Sequence, residues 1–287
     1  MEWIRLATRL TAFALFLLAT GLLALTLLLT ERVTGTLIDR TPWARRCFRW
    51  ACRCLGLDVR VHGVPREQRA LFVCNHISWS DIPILGSLMP IRFLSKAEVG
   101  QWPVIGWLAR QAGTLFIRRG GGQARQVRTR ISQALATGES VLIFPEGTTS
   151  AGLTVLPFHG LLLQAASEAG AAIQPVTISY RRNSRPDHLA PFVGEDRFEQ
   201  HLLRMLRQPA AQVDVLFHDP VATCPGTATA ELTAQLQHTV LNGLKCIQAG
   251  ERDTGPRNPP VRTEGDPGRL RLRWLRAGRR FQDQNTG

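Results

Sequence analysis

The longest uninterrupted apolar run of the chain lies near its amino terminus. Residues 10–30 form 21 successive positions without a charged side chain, and a helix of that length, rising about 1.5 Å per residue, crosses a hydrocarbon core about 30 Å thick. The run predicts a transmembrane helix, with a cleaved signal peptide and a buried or interfacial helical hairpin as alternatives. Arginines crowd the positions that follow, at 32, 40, 45, 46 and 49. By the positive-inside rule they place the main body in the cytoplasm, at the inner membrane.

Residues 41–56 alternate arginines with the aromatic side chains Trp43, Phe48 and Trp50. Such a segment suits the headgroup region of a membrane, where tryptophan sits at the interface and arginine meets lipid phosphate. The same pattern also fits a solvated helix that packs its aromatic side chains on a core. Both interpretations stay open at this point.

The middle of the chain alternates short apolar, β-branched runs with longer amphipathic stretches. The runs predict strands at residues 57–61, 71–74, 114–117, 141–144, 173–179 and 213–217. The stretches predict helices at residues 82–88, 123–136, 161–168, 197–207 and 229–248. This alternation predicts an α/β fold, a mostly parallel central sheet flanked by helices and preceded by an N-terminal membrane helix.

Three regions follow from this pattern. Residues 1–54 are expected to form a membrane anchor and interfacial segment, and residues 55–248 an α/β domain. Residues 249–287 begin with a stretch rich in proline and glycine and end with an arginine-rich stretch, so we expect a basic, disordered tail.

Charge narrows the class of partner. The net charge is +13, and 33 of the 35 basic residues are arginine, which favours anionic partners such as phosphates, nucleic acid or an acidic membrane surface. A hydrophobic fraction of 44% excludes a wholly disordered chain. The six cysteines have neither the spacing of a disulfide framework nor that of a zinc site, so we expect no metal.

The segment N-H-I-S-W-S-D, residues 75–81, follows a predicted strand and carries the first candidate chemistry. His76 and Asp81 stand five residues apart, which on a regular helix would separate them by about 140°. They can meet only across a turn. A carboxylate bonded to one imidazole nitrogen would leave the other nitrogen free to take a proton from a hydroxyl. The alternative is a surface histidine beside an aspartate that caps the next helix.

Two further strand ends carry polar groups. Arg118 and Arg119 end a predicted strand and could bind a phosphate bidentately, or be solvated charges. The turn P-E-G-T-T-S, residues 145–150, places Gly147 and Thr148 after another strand, where backbone N–H groups could hold an oxyanion or a phosphate. An ordinary β-turn is the alternative for this segment.

Taken in order, N-H-x4-D, G-x-x-F-I-x-R, F-P-E-G-T and a late Pro-Val strand resemble the four blocks of the glycerolipid acyltransferase family, over roughly residues 55–220. The resemblance implies transfer of an acyl chain from acyl-CoA or acyl carrier protein, as co-substrate, to a lyso-lipid hydroxyl, with no further cofactor. It also implies that His76 is the base, that Asp81 orients it, and that the acceptor is bound by a set of motif residues. That set is Arg119, Glu146 and Gly147, to which the sequence adds Thr148 and Arg118.

Three positions depart from the family's commonest pattern. Arg118 replaces an aspartate, Thr149 replaces an arginine, and His159 stands where many members have lysine. Two of these changes remove a cation and Arg118 adds one back, so lysophosphatidic acid is the first expected acceptor. Another lyso-lipid, such as lyso-ornithine lipid, is the alternative. An arginine-rich nucleic-acid-binding membrane protein is the alternative of another class, but it leaves the motif order unexplained, and we expect no nucleic-acid partner.

Overall fold

A computed structural model describes residues 1–117, 124–224 and 229–250. It opens with α1, Glu2–Thr34, a 33-residue helix that ends at Gly35 in a left-handed conformation. Within the described ranges, α1 is the one helix long and apolar enough to cross a membrane, with a mean hydropathy of 2.5. Only 6% of its most apolar window is buried, so most of that surface is available to lipid.

The two ends of α1 are tied to the rest of the molecule. Near its start, Arg9 donates to the backbone oxygen of Gln208 at 2.8 Å, and its guanidinium lies over Gly56, where any Cβ would come within 2.3 Å of it. Near its end, Glu31 forms an ion pair with Arg40, which also contacts Gln111. Helix α1 is therefore packed along the globular part instead of standing away from it.

The second helix, α2, spans Thr41–Leu55. Its Phe48 and Cys52 belong to or pack against the buried core, whereas Trp50 is 55% exposed and Trp43 lies under the guanidinium of Arg46. Packing of an aromatic side chain of this segment on the core is confirmed for Phe48, and contact of residues 41–56 with lipid headgroups stays a prediction. One face of α2 packs inward, and the other presents tryptophan and arginine outward.

A single sheet organises the remainder of the described chain. Its strands are β1 Leu57–His62, β2 Ala70–Cys74, β3 Arg92–Lys96, β4 Leu115–Ile117, β5 Val141–Ile143, β6 Ala172–Arg182, β7 Arg185–Pro186 and β8 Ala211–Phe217. The spatial order is β1-β8-β6-β2-β5-β3-β4, with β7 paired to β6. All pairs along this order are parallel except β6 with β8, and β7 is also antiparallel.

Helices cover both faces of the sheet. They are α3 Asp81–Leu88, α4 Ile105–Gln111, α5 Ala124–Ala136, α6 Gln164–Glu168, α7 Phe198–Arg207 and α8 Thr229–Gln248. Alternation along β2 separates two cores: Phe72 and Cys74 pack with side chains from α2, α3 and α7. Leu71 and Val73 pack with side chains from α5, α6 and α8.

The α/β fold class and the mostly parallel sheet are confirmed. Each predicted strand is present within a few residues of its expected bounds, and β6 extends to Arg182. The sequence patterns missed β3, α4 and the two-residue β7. Predicted helix 161–168 is a short 3-10 turn, Gly160–Leu163, followed by α6. The expected disordered tail lies outside the described residues, apart from its first two positions.

Candidate active site

The turn between β2 and α3 brings His76 and Asp81 together. The imidazole Nδ1 lies 2.8 Å from the Asp81 Oδ2, and the Asp81 side chain is completely buried while that of His76 is 17% exposed. Asp81 is the first residue of α3, after Ser80 at the N-cap position. Its carboxylate points back to the turn, accepting from the N–H groups of Ile77 and Ser78 at 2.8 and 3.1 Å, so Asp81 is not the helix cap that the sequence offered as the alternative.

The hydrogen bonds of Asp81 determine the state of the imidazole. An ionised carboxylate only accepts, and Oδ1 of Asp81 is already occupied by the phenol of Tyr180 at 2.6 Å. The contact at Oδ2 therefore requires that Nδ1 of His76 carries the proton. The other nitrogen, Nε2, is then left as the basic one.

A second loop supports the His76 backbone. Glu146 is 4% exposed, and its Oε1 accepts from the His76 N–H at 2.7 Å while its Oε2 accepts from the Leu156 N–H at 3.0 Å. Burial raises the pKa of Glu146, and the two backbone hydrogen bonds counteract this shift. The carboxylate therefore links the histidine turn to the loop that follows β5.

Sheet topology explains why these segments meet. β2 and β5 are adjacent and parallel, with Val73 opposite Ile143, so their carboxyl ends lie at the same edge, where sites in such sheets form. The loop after β5 bonds back to the turn through Ser150 N–H and His76 C=O at 2.8 Å. The Phe144 ring stacks on the His76 ring with centroids 3.9 Å apart.

A large apolar cavity opens at this edge. Its volume is about 1120 Å³, and its lining includes His76, Phe144, Gly147 and Thr148. Further walls come from one face of α1 and from aromatic side chains, namely Phe13, Phe16, Leu17, Leu23, Leu27, Phe48, Trp79, Trp102, Phe192 and Phe198. The charged side chains of the lining include Arg40, Lys96 and Glu98. The histidine therefore faces a space with mostly apolar walls and a few polar groups.

Comparison with known proteins identifies the family. Residues 58–179 match the family model described as acyltransferase. The chain is 47% identical over 245 residues to a lyso-ornithine lipid O-acyltransferase of Pseudomonas aeruginosa, covering 84% of this chain and 93% of that protein. The chain belongs to the lyso-lipid acyltransferase family. It is also 34% identical over 140 residues to the 1-acyl-sn-glycerol-3-phosphate acyltransferase of Neisseria gonorrhoeae, covering 47% of this chain and 55% of that protein.

A solved structure shares the fold of this acyltransferase. The 1-acyl-sn-glycerophosphate acyltransferase PlsC of Thermotoga maritima aligns with a TM-score of 0.62 and 24% identity, over 87% of this chain and 98% of that chain. The similarity extends over more of the chain than the residues matched by the family model. At this identity the comparison establishes the fold alone.

The remaining residues predicted for the site lie partly at the cavity and partly outside the described residues. Gly147 has a φ of 68° in the turn after β5, and His159 lies beside it, 3.3 Å from where a Cβ would stand. Thr148 lines the cavity. Thr149 stands where many family members have arginine, and its hydroxyl donates to the backbone oxygen of Phe192. That proton is therefore not directed at an acceptor lipid. Arg118 and Arg119 lie outside the described residues, and their expected contact with the acceptor stays a prediction.

Sequence reasoning missed two groups behind the site. Tyr180 contacts Asp81 from β6, 99 positions away, which no local motif shows. His201 in α7 is buried, accepts from the Trp79 indole at 3.0 Å through Nδ1, and faces the backbone oxygens of Ala190 and Pro191 through Nε2. Burial lowers the pKa of His201, so it is a neutral group that fixes the ring of Trp79 in the cavity wall.

In the described part of the chain, no three His, Cys, Asp or Glu side chains gather as possible metal ligands.

Proposed function

We propose that this acyltransferase moves an acyl chain from a thioester, acyl-CoA or acyl carrier protein, to the hydroxyl of a lyso-lipid, with His76 as general base. The observation that carries the proposal is the His76–Asp81 contact at a turn that opens into an apolar cavity. A buried carboxylate that binds one nitrogen of an imidazole fixes the tautomer and the orientation of the ring, so the other nitrogen stays basic and points in one direction.

The reaction needs no covalent enzyme intermediate. Nε2 of His76 takes the proton of the acceptor hydroxyl while its oxygen bonds to the thioester carbonyl carbon. The tetrahedral intermediate collapses with cleavage of the carbon–sulfur bond, and the departing thiolate takes the proton from the imidazolium. Cys74, two residues from the base, is an unsuitable nucleophile because complete burial raises the pKa of its thiol well above the ordinary value.

The cavity supplies the remaining requirements. Its apolar walls suit acyl chains, which transfer from water favourably by about 0.8 kcal/mol per buried methylene. We propose that Thr148, which lines the cavity in the loop bonded to the His76 backbone, donates to the developing oxyanion. The histidine and the acyl carbonyl would then share one edge of the sheet.

For the acceptor, we propose lyso-ornithine lipid over lysophosphatidic acid. A phosphate monoester carries a charge of about −1.5 to −2 at pH 7, whereas an ornithine headgroup carries one carboxylate and one ammonium. Thr149 and His159 remove two cations that a phosphate would use, and Thr149 is committed to Phe192. Four relatives at 34–47% identity are named lyso-ornithine lipid O-acyltransferases, in agreement with this assignment.

Lysophosphatidic acid is the second candidate, favoured by the paired arginines at 118 and 119 and by the Neisseria relatives. We expect purified full-length protein in mixed micelles to show kcat/KM at least about tenfold higher for lyso-ornithine lipid. Both acyl-CoA and acyl carrier protein are offered, and products are read by mass spectrometry. His159→Lys restores one cation at an exposed position and should reduce that preference. Equal or faster turnover of lysophosphatidic acid by the wild type would reverse the assignment.

We also propose that α1 lies within one leaflet at the cytoplasmic face, so that lipid reaches the cavity from the bilayer. A 33-residue helix is about 50 Å long, and a globular part on one side of a bilayer cannot touch both ends of a helix that crosses it. Arg9 makes such a contact at one end, with Gln208; at the other end Glu31 pairs with Arg40 of the following segment, which in turn contacts Gln111 of α4. The outward leucines, among them Leu15, Leu18, Leu22 and Leu29, are exposed by 54–60%.

A labelling experiment in vesicles tests this arrangement of α1. Ile4 and Leu37 are 70% and 94% exposed, and each is replaced by cysteine in a separate variant. The exposed Cys224 shows on which side of the membrane the globular part lies. We expect an impermeant maleimide to reach all three from the same side, as read by peptide mass spectrometry. Labelling of Ile4→Cys from the side opposite to Cys224 would instead indicate a transmembrane helix.

A further inference from the structure

The phenol of Tyr180 extends the His76–Asp81 contact into the sheet. Tyr180 lies on β6, is 3% exposed, and is the single tyrosine of the chain. Its hydroxyl donates to Oδ1 of Asp81 at 2.6 Å and lies 2.8 Å from the hydroxyl of Ser80. It therefore binds the carboxylate oxygen that does not face the histidine.

Proton counting fixes the direction of these bonds. A phenol has one proton, and since the carboxylate can only accept, that proton goes to Asp81. Ser80 must then donate to Tyr180, giving a chain from Ser80 to Tyr180 to Asp81 in which each bond polarises the next. With the ring Nδ1–H of His76 and the backbone N–H groups of Ile77 and Ser78 at Oδ2, the carboxylate accepts four bonds, three at Oδ2 and the one from Tyr180 at Oδ1.

We infer that Tyr180 is a positioning residue for catalysis: its phenol holds Asp81 ionised and oriented, so that Asp81 can hold the tautomer of His76. The inference rests on the proposed role of His76 as base. Complete burial leaves no water to replace the phenol, so removing it leaves a buried anionic oxygen without a donor. A hydrogen bond to a charged group is the kind whose loss has large effects.

The surrounding charges determine the expected pH effect. The titratable groups that face this network are His76 from the turn, Glu146 from the loop after β5, Cys74 from β2 and Cys52 from α2. Burial raises the pKa of both thiols, that of Cys52 to about 12, so they stay neutral. Burial, followed by the charge of Asp81, raises the pKa of Tyr180 well above its ordinary value, so the phenol stays a donor throughout the assay range.

Tyr180→Phe, which keeps the ring, tests the inference. We expect kcat to fall about 10- to 100-fold with the acceptor KM within about twofold. Without the phenol, Asp81 and His76 together hold a proton more readily, so the acid-side midpoint of the kcat/KM profile should move up by roughly 0.5 to 1.5 pH units. Ser80→Ala should shift the midpoint in the same direction with a loss of only a few fold, and it decides the matter if Tyr180→Phe does not fold.

Thr177→Val is the matched control, because Thr177 is a buried hydroxyl on the same strand that bonds to His218 and the Val240 backbone instead. Its pH profile should be that of the wild type whatever its thermal stability. A double-mutant cycle with Asp81→Asn then asks whether Tyr180 acts through Asp81. In that background, Tyr180→Phe should change kcat by less than about threefold.

The possible failures are distinguishable. An active His76→Ala enzyme would overturn the proposed base and this inference together. An inactive His76→Ala enzyme combined with an unchanged pH profile in folded Tyr180→Phe would overturn the inference alone. A full loss from Tyr180→Phe in the Asp81→Asn background would also overturn it, because Tyr180 would then act by another route.

Discussion

Replacing His76 with alanine should lower kcat by about 10²- to 10⁴-fold with every acceptor, because the acceptor hydroxyl then lacks a group to take its proton. The remaining rate reflects substrate alignment in the cavity and donors to the oxyanion. The KM for the acceptor should change little, since His76 is only 17% exposed and contributes a small part of the cavity lining. Steady-state kinetics in mixed micelles, with product read by mass spectrometry, gives both constants.

His188→Ala is the control for this variant. His188 is exposed and lies away from the main cavity, so its removal tests for a general effect of losing an imidazole. The thermal unfolding midpoint of His188→Ala should stay close to that of the wild type. His76→Ala also removes a hydrogen bond to the buried Asp81, so its midpoint should fall, and kcat is measured at a temperature where the variant is folded. A His76→Ala enzyme that keeps more than about a tenth of the wild-type kcat would contradict the role of general base.

Local sequence patterns were enough to predict much of the fold and part of the candidate site. The strand that ends at Cys74 and the helix that begins at Asp81 are both visible as sequence patterns. Because a regular helix separates positions five apart, the spacing of His76 and Asp81 required a turn, and the structure has one. The loop after Ile143 follows a parallel neighbour of β2, so a fold class with a parallel sheet was enough to expect the two segments at one edge.

The remaining features depend on long-range packing. β3 reads R-F-L-S-K, a short strand flanked by charges, and its identity comes from pairing with β5 and β4. The antiparallel pairing of β6 with β8 leaves no local mark, since the residues that pair lie more than 30 positions apart. Tyr180 could not be recognised as a site residue from the sequence, because its partner Asp81 lies on a different element, 99 positions away.

Glu146 is the residue whose position most changes what the sequence implied. The family resemblance implies contact with the acceptor headgroup, whereas in the structure both of its oxygens accept backbone N–H groups, at His76 and Leu156. A carboxylate that is 4% exposed and doubly engaged has its hydrogen bonds directed into the fold. The two roles predict different results for the same substitution.

Glu146→Ala should lower the free energy of unfolding by about 2–4 kcal/mol, because two partly buried donors lose their acceptor at roughly 1–2 kcal/mol each, the lower part of the range for buried groups. The thermal midpoint should fall by about 5–10 °C, and kcat by about 100-fold, since the backbone that carries the base loses its support. Glu146→Gln keeps an amide oxygen for one of the two donors and should lie between the wild type and Glu146→Ala in both measurements.

Glu199→Ala, which removes a carboxylate that is 72% exposed, controls for loss of charge and should leave the midpoint unchanged. If Glu146 acted only by binding the headgroup, Glu146→Ala would raise the acceptor KM and leave the thermal midpoint in place. If the thermal midpoint and kcat fall together from the wild type to Glu146→Gln to Glu146→Ala, the result would show that Glu146 supports the histidine turn.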